Sequence, residues 1–267
     1  MNKIGFIGGG KMATAIMKGI INSNWCESKN IIVSDKNEEA LKLLEENYNV
    51  QTTTNNIDVV KESNILLFAV KPFVLRAVLE EIKHYITEKH VIISIAAGIS
   101  INTIEEIVGK VPVIRVMPNT PALVNEGMSA VCKGTYATDE TSKIAVEIFN
   151  SVGKVVESEE KYIDIITAIS GSGPAFYYYI IDEIAKAGEK LGLDYQTCLK
   201  LSAQTAYGAA KMIMETGINP EQLIVNVTTP GGRTAVGNEV LKEQKISDIL
   251  FDTIEKTAEK AYELGKN

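Results

Sequence analysis

Histidine, cysteine and positive charge are scarce in this chain, and each scarcity narrows what it can do. Only two histidines, His84 and His90, occur among 267 residues. They flank a predicted helix end ahead of a strand, away from every glycine-rich segment, and read as solvated surface. The usual acid for reducing a ketone is therefore missing. The three cysteines, Cys26, Cys132 and Cys198, are far apart and odd in number. They fit neither a disulfide framework nor a zinc site, so no metal is expected and the compartment reads as a reducing cytoplasm. Lys and Arg total 27 against 34 Asp and Glu, giving a net charge of −7 and a pI near 5.1. The basic field that nucleic acid requires is absent, and an anionic ligand must be held by local features. No apolar run reaches the roughly 18 residues of a membrane span. Met1-Asn2-Lys3 leads straight into strand-like Ile4-Gly5-Phe6-Ile7, too short for a signal peptide.

The remaining composition is that of a globular protein, with 45% hydrophobic residues and room for one large or two small domains. Residues 3–7, 31–34, 65–70, 91–95 and 113–117 read as strands. Helical patterns over 12–21, 38–46 and about 73–85 alternate with them. Asn102, Thr103, Ile104 and Glu105 read as a capping box that opens a short helix. Residues 129–133 and 154–157 extend the sheet, with a helix over 141–149 between them. This alternation predicts an α/β fold with a doubly wound parallel sheet.

Beyond about residue 159 the strand signals fade. Residues 174–191, 197–215, 220–227, 235–242 and 248–264 read as helices, the last with Ser247 as N-cap and Gly265 as its stop. The expected division is a dinucleotide-binding domain over 1–158 and an all-helical domain over 159–267. Two of the helices have little polar face: Ala175-Phe-Tyr-Tyr-Tyr-Ile-Ile and the alanine-rich 203–214 with Gly208. Such helices must be buried on all sides. About a hundred residues of helix do not easily enclose both, so a homodimer is expected, with one central helix wrapped by the others as the alternative.

Gly8, Gly10 and Ala13 satisfy the dinucleotide fingerprint between a strand and a helix start. Gly8 permits the tight turn, Gly10 lets the backbone approach a pyrophosphate, and Ala13 keeps helix and strand close. Gly8, Gly9, Gly10, Lys11 and Met12 then place phosphates on the helix N-terminus. A purely structural glycine turn is the competing reading. The second strand ends Ser34-Asp35-Lys36. Ser34 stands where an NAD site usually has an acid, and Lys36 adds a cation, which favours NADP(H). Asp35, if turned inward, would favour NAD(H). Asn56 either adds a polar contact near the adenosine or simply caps a helix.

Three further segments follow strands: Ala69-Val70-Lys71-Pro72, Ala96-Ala97-Gly98 and Met117-Pro118-Asn119-Thr120-Pro121. Their small residues allow a flat ring to lie on the backbone, although each alone is an ordinary strand-to-helix turn. Thr228-Thr-Pro-Gly-Gly-Arg-Thr234 packs three hydroxyls and two adjacent glycines into seven residues. Such a segment can surround a small anion with N–H groups and hydroxyls. With no strong acid at hand, the fitting hydride acceptor is one that arrives protonated, such as an imine.

The chain resembles the pyrroline-5-carboxylate reductases along essentially its whole length. The resemblance rests on Gly5-Phe-Ile-Gly-Gly-Gly-Lys-Met-Ala13, Ala69-Val-Lys-Pro72, Ser94-Ile-Ala-Ala-Gly98, Arg115-Val-Met-Pro-Asn-Thr-Pro121, Ser170-Gly-Ser-Gly-Pro-Ala175 and Thr229-Pro-Gly-Gly-Arg-Thr234. It implies a Rossmann-type domain, a helical dimerisation domain, and a substrate pocket at the dimer interface. Some members form rings of dimers. The implied reaction reduces (S)-1-pyrroline-5-carboxylate to L-proline with NADPH or NADH. By the same resemblance, Thr234 faces the substrate nitrogen, Thr229, Gly231 and Gly232 hold its carboxylate, and Asn226 and Glu160 lie near it. The sequence departs from the family pattern at Arg233 and at Gly237-Asn238. Arg233 either adds charge near the carboxylate or points to solvent. The rival readings are a β-hydroxyacid dehydrogenase and a non-catalytic NADP(H) sensor. The first leans on a lysine that residues 175–185 lack, and the second needs no substrate loop.

Overall fold

The computed structural model describes residues 3–265, which form two compact units. The first runs to Ser172 and regains the chain from Thr257; the second is Gly173–Lys256. In the first, β1 (Ile4–Ile7), α1 (Lys11–Asn22), β2 (Ile31–Ser34), α2 (Glu38–Tyr48), β3 (Gln51–Thr53) and α3 (Asn56–Glu62) come first. Then follow β4 (Ile65–Phe68), α4 (Pro72–Ile82), β5 (Val91–Ser94), α5 (Ile101–Val108) and β6 (Val113–Met117). The unit continues with β7 (Gly127–Lys133), α6 (Asp139–Asn150) and β8 (Gly153–Glu157). The sheet order is β3-β2-β1-β4-β5-β6-β7-β8, and β6–β7 is its antiparallel junction.

The central strands are apolar on both faces because helices cover both. Successive side chains go to opposite sides, as the two-residue period requires. Ile65 and Leu67 join one core with Phe6, Ile16, Ile20 and Phe149. Leu66 and Phe68 join the other with Leu75, Leu79, Ile92 and Val113. Each fully buried side chain of this kind contributes about 2 kcal/mol. The short strand β3 escapes the sequence pattern because Gln51-Thr52-Thr53 is polar and lies at the sheet edge.

Gly127 and Gly153 pair across β7 and β8. Gly153 has φ +154°, and a Cβ there would lie 1.9 Å from the Gly127 carbonyl oxygen. Gly153→Ala is therefore expected to destabilise the first unit by at least about 2 kcal/mol. Urea unfolding checks this, and an unchanged midpoint would contradict it.

The sheet unit continues past the expected boundary at 158/159. Ile163, on α7 (Ile163–Ile166), is buried in the second core, and Asn119 donates to the Ser170 carbonyl. These contacts fasten residues 160–171 to the first unit, which places the compact division after Ser172. Three local expectations also change. Ser100, not Asn102, caps α5 by accepting from the Thr103 N–H. Ser247 lies inside α12 (Ile246–Gly265) and does not cap it. His90 is buried, with its ring between the Val60 carbonyl and Thr87, and so is not solvated surface.

The second unit contains α8 (Gly173–Lys190), α9 (Tyr195–Thr216), α10 (Pro220–Asn226), α11 (Arg233–Glu243) and the first part of α12. Asp194 and Asn219 cap α9 and α10, and Pro220 occupies the first turn where its missing N–H costs nothing. The α8–α9 pair is close-packed at Gly188, where a Cβ would meet Cys198 Sγ at 2.5 Å. Yet only Gly173, Pro174, Ala185, Cys198 and Ser202 are buried in this whole unit. Tyr177, Tyr178 and Tyr179 are 64%, 60% and 69% exposed. A helical unit with so little interior needs a further surface to bury its apolar side chains. None of the helices among the described residues is long and apolar enough to cross a membrane.

Candidate active site

The carboxyl ends of β1, β2, β4, β5 and β6 open onto one cavity of about 760 Å³. The strand order reverses at β1 and β4, and a doubly wound sheet places its ligand crevice at that point. Gly8, Gly10, Lys11 and Met12 line one end, Ser34, Lys36 and Asn56 a side, and Ala69, Val70, Lys71, Pro72, Ala96 and Ala97 the floor. Asp35, Val74, Val78, Ile95, Met117, Pro118, Thr120 and Leu123 complete the lining. Pro118 and Thr120 are reached by the predicted loop after β6. Val74 and Val78 carry no sequence signal of a site, since they read as the core face of α4.

Three expected cofactor residues lie outside the lining. The Gly9 N–H donates to Asp35 Oδ2 at 2.7 Å, so Gly9 anchors the loop from behind. Gly98, with φ +75°, makes the turn before α5 and packs near the Leu264 carbonyl. Asn119 is spent on structure: its amide donates to Ser170, and its Oδ1 accepts from the Met128 N–H at 2.9 Å.

The remaining lining suits a dinucleotide. A Cβ on Gly10 would meet nothing within 4 Å, which leaves space above the first turn of α1. The N–H groups of that turn have no helical acceptor and face the cavity end as anion donors. Ser34 is 1% and Asn56 6% exposed, and the Ser34 hydroxyl donates to Asn56 Oδ1 at 2.8 Å. Asn56 in turn donates to Glu81 at 3.0 Å. This buried polar corner sits beside the Lys36 ammonium, whose nearest hydrogen-bond acceptor is the Thr54 carbonyl at 3.4 Å. Asp35 is tied by both oxygens, Oδ2 to Gly9 and Oδ1 to the Asn37 N–H at 2.9 Å.

Glu160, which the resemblance puts beside the substrate, has its Oε1 engaged by Arg115 Nη1 and by the Ile101 N–H, each at 2.8 Å. Cys132 faces Arg115 across the β6–β7 pair. Burial pushes its thiol up to about 11 although Arg115 pulls the other way, so it stays protonated and unreactive.

In the second unit, Gly231 has φ +69° and the Gly232 N–H donates to the Thr229 carbonyl at 2.8 Å, closing a turn onto α11. Thr228 donates to the Ile224 carbonyl at 2.6 Å, and Asn238 donates to Thr228 at 3.2 Å. Asn238, one of the departures from the family pattern, thus fastens the start of this turn. The Thr229 and Thr234 side chains are exposed, and Thr234 sits in the first turn of α11. Asn226 accepts from Gln222 at 2.8 Å. The first lysine of α8, Lys186, is paired with Asp182 and Glu183 and is no free acid. Among the described residues no group of three His, Cys, Asp or Glu side chains could hold a metal ion.

Residues 160–264 match the family model for pyrroline-5-carboxylate reductase dimerisation, and residues 3–98 match that for coenzyme F420-dependent NADP oxidoreductases. The pyrroline-5-carboxylate reductase of Methanosarcina acetivorans is 42% identical over 265 residues, spanning 99% of this chain and 98% of that one. Its counterpart in Arabidopsis thaliana is 36% identical over 99% of this chain and 96% of its own. A solved pyrroline-5-carboxylate reductase from Coxiella burnetii superposes with a TM-score of 0.95 at 33% identity, covering 98% of both chains. The Plasmodium falciparum pyrroline carboxylate reductase, solved with NADP bound, gives 0.87 at 34% identity over 99% of this chain and 98% of that one.

Proposed function

The chain belongs to the pyrroline-5-carboxylate reductase family, and on that premise we propose that it reduces (S)-1-pyrroline-5-carboxylate to L-proline, the last step of proline biosynthesis. The observation that carries this reading is full-length similarity at 42% identity to a pyrroline-5-carboxylate reductase, joined to a cavity that the glycine loop and the strand ends line together. NADPH, when bound, supplies the hydride that adds to the C=N carbon. The protein's work is to hold two partners in register and to provide modest hydrogen bonds, because a protonated imine needs no strong acid.

Gly8, Gly10, Lys11 and Met12 hold the pyrophosphate, and the floor from Ala69–Pro72 and Ala96–Ala97 supports the nicotinamide. Gly9, Gly98 and Asn119 shape the loops from outside the cavity. Ser34, Lys36 and Asn56 take the 2′-phosphate. Ser34 and Lys36 support this preference, beside an Asp35 carboxylate whose two oxygens are oriented by the backbone N–H groups of Gly9 and Asn37. Thr229, Gly231 and Gly232 hold the substrate carboxylate, with Asn226 nearby, and the Thr234 hydroxyl orients the ring nitrogen. The buried cysteines Cys26, Cys132 and Cys198 fit a reducing cytoplasm. Initial rates with NADPH and NADH at equal concentration test the cofactor reading. A higher kcat/KM for NADPH is expected, and a preference for NADH would overturn it.

The exposed aromatic face of α8 and the sparse interior of the helical unit support assembly as a homodimer, with a ring of dimers as the larger form. Light scattering at micromolar concentration is expected to give a mass of two chains or a multiple of it. A monomer would contradict this.

A further inference from the structure

The two nicotinamide-side floor loops are fastened to a single carboxylate. Glu160 Oε1 accepts from Arg115 Nη1 and from the Ile101 N–H, each at 2.8 Å. Arg115 is 5% exposed and precedes the lining residues Met117 and Pro118 on β6. Ile101 opens α5, directly after the loop that carries Ala96 and Ala97. The bonds therefore join the strand that leads into one floor loop to the helix that leads out of the other. Arg115 Nε is buried without any partner. The guanidinium is thus held chiefly through its end, and Glu160 is the only carboxylate that pairs with it among the described residues. Ala96, Ala97 and Pro118 bring no polar side-chain atoms to the floor, and the polar contacts that hold these loops lie at their edges: the Ala96 N–H on Ser94 Oγ at 3.4 Å, Asn119 on Ser170 and Met128, and the Glu160 bonds. The floor's geometry depends on what holds its flanks.

We propose that Glu160 is a positioning residue that clamps the loops after β5 and β6, and so sets the nicotinamide for hydride transfer without touching the adenosine end. This rests on reading the cavity as the NADPH site. Removing the carboxylate of the half-buried Glu160 leaves the buried Arg115 guanidinium without its compensating charge. Two full-length variants separate charge from reach. Glu160→Gln keeps the shape and an acceptor oxygen. Glu160→Asp keeps the charge and draws it back by one methylene.

The test measures kcat with pyrroline-5-carboxylate, the isotope effect with NADPH deuterated at the transferred position, and the Kd of 2′,5′-ADP, which probes only the adenosine end. Both variants are expected to lose at least about tenfold in kcat and to show a larger isotope effect, since misplacement slows the chemical step. Their 2′,5′-ADP affinity stays within about twofold of the parent protein's. Unchanged kcat and isotope effect in Glu160→Asp would overturn the proposal. So would parallel losses of kcat and 2′,5′-ADP affinity, or failure of both variants to fold, since the pair would then serve stability alone. A raised KM for pyrroline-5-carboxylate with no other change would return Glu160 to substrate contact, and so overturn it too. If the parent protein does not turn over the pyrroline, the functional reading fails, and the clamp is judged from binding. The ratio of NADPH to 2′,5′-ADP affinity must then change at least about threefold in the variants, and an unchanged ratio sinks the clamp.

Discussion

Gly8→Ala is expected to weaken NADPH binding about 100-fold, close to 2.7 kcal/mol at about 1.4 kcal/mol per factor of ten. Gly8 has φ +101°, and a Cβ there would lie 2.9 Å from the Ala69 backbone carbon and oxygen. Left-handed backbone alone costs an L-residue about 1–2 kcal/mol. The contact adds to this, because neither partner is the free end of a side chain. The neighbouring strands cannot relax around it: the Gly8 N–H is bonded to the Ser34 carbonyl, and the Ala69 N–H to the Ile7 carbonyl. Relief has to come from the loop itself, which is the part that must meet the pyrophosphate. NADPH fluorescence titration reads the loss. A Kd within threefold of the parent protein would show that the loop does not hold the phosphates.

Thr234→Ala is expected to lower kcat/KM for pyrroline-5-carboxylate at least about tenfold, or about 1.4 kcal/mol in the barrier. The hydroxyl is exposed in the first turn of α11, beside a turn shaped by Gly231 and Gly232. Its loss removes a hydrogen bond to a charged or developing centre with little effect on the fold, since the residue is exposed. Thr234→Ser should therefore retain most of the activity, and both variants should melt with the parent. Steady-state kinetics decide the matter, and unchanged kcat/KM in Thr234→Ala would remove Thr234 from the mechanism.

Much of the first unit could be read from local patterns, because its strands are short apolar runs and its helices start at recognisable signals. The glycine loop, Ser34 and Asn56 came from the same source, and they share one cavity because parallel strands end on one side of a sheet. What escaped the sequence depends on contacts between distant positions. Arg115 and Glu160 are 45 residues apart, and nothing in either neighbourhood announces the other. Asp35 has the composition of an NAD-type acid, yet its carboxylate is claimed by the Gly9 N–H. Asn119 looked like a ring contact because it lies between two prolines, but its amide ties β7 and Ser170. His90 looked exposed because it lies between a helix end and a strand, away from every glycine-rich segment, while its ring is buried against Val60. The division after Ser172 was hidden for the same reason: the strand pattern stops near residue 157, but packing on the sheet does not.

The central claim is that this chain moves a hydride from NADPH to a cyclic imine. Mixing the purified protein with NADPH and (S)-1-pyrroline-5-carboxylate, and following NADPH absorbance together with proline formed, tests it most directly. One proline is expected to appear for each NADPH consumed, with neither change in the absence of the pyrroline. Tight NADPH binding with no oxidation on adding the pyrroline would contradict the claim, and would make the cavity that of a binding protein.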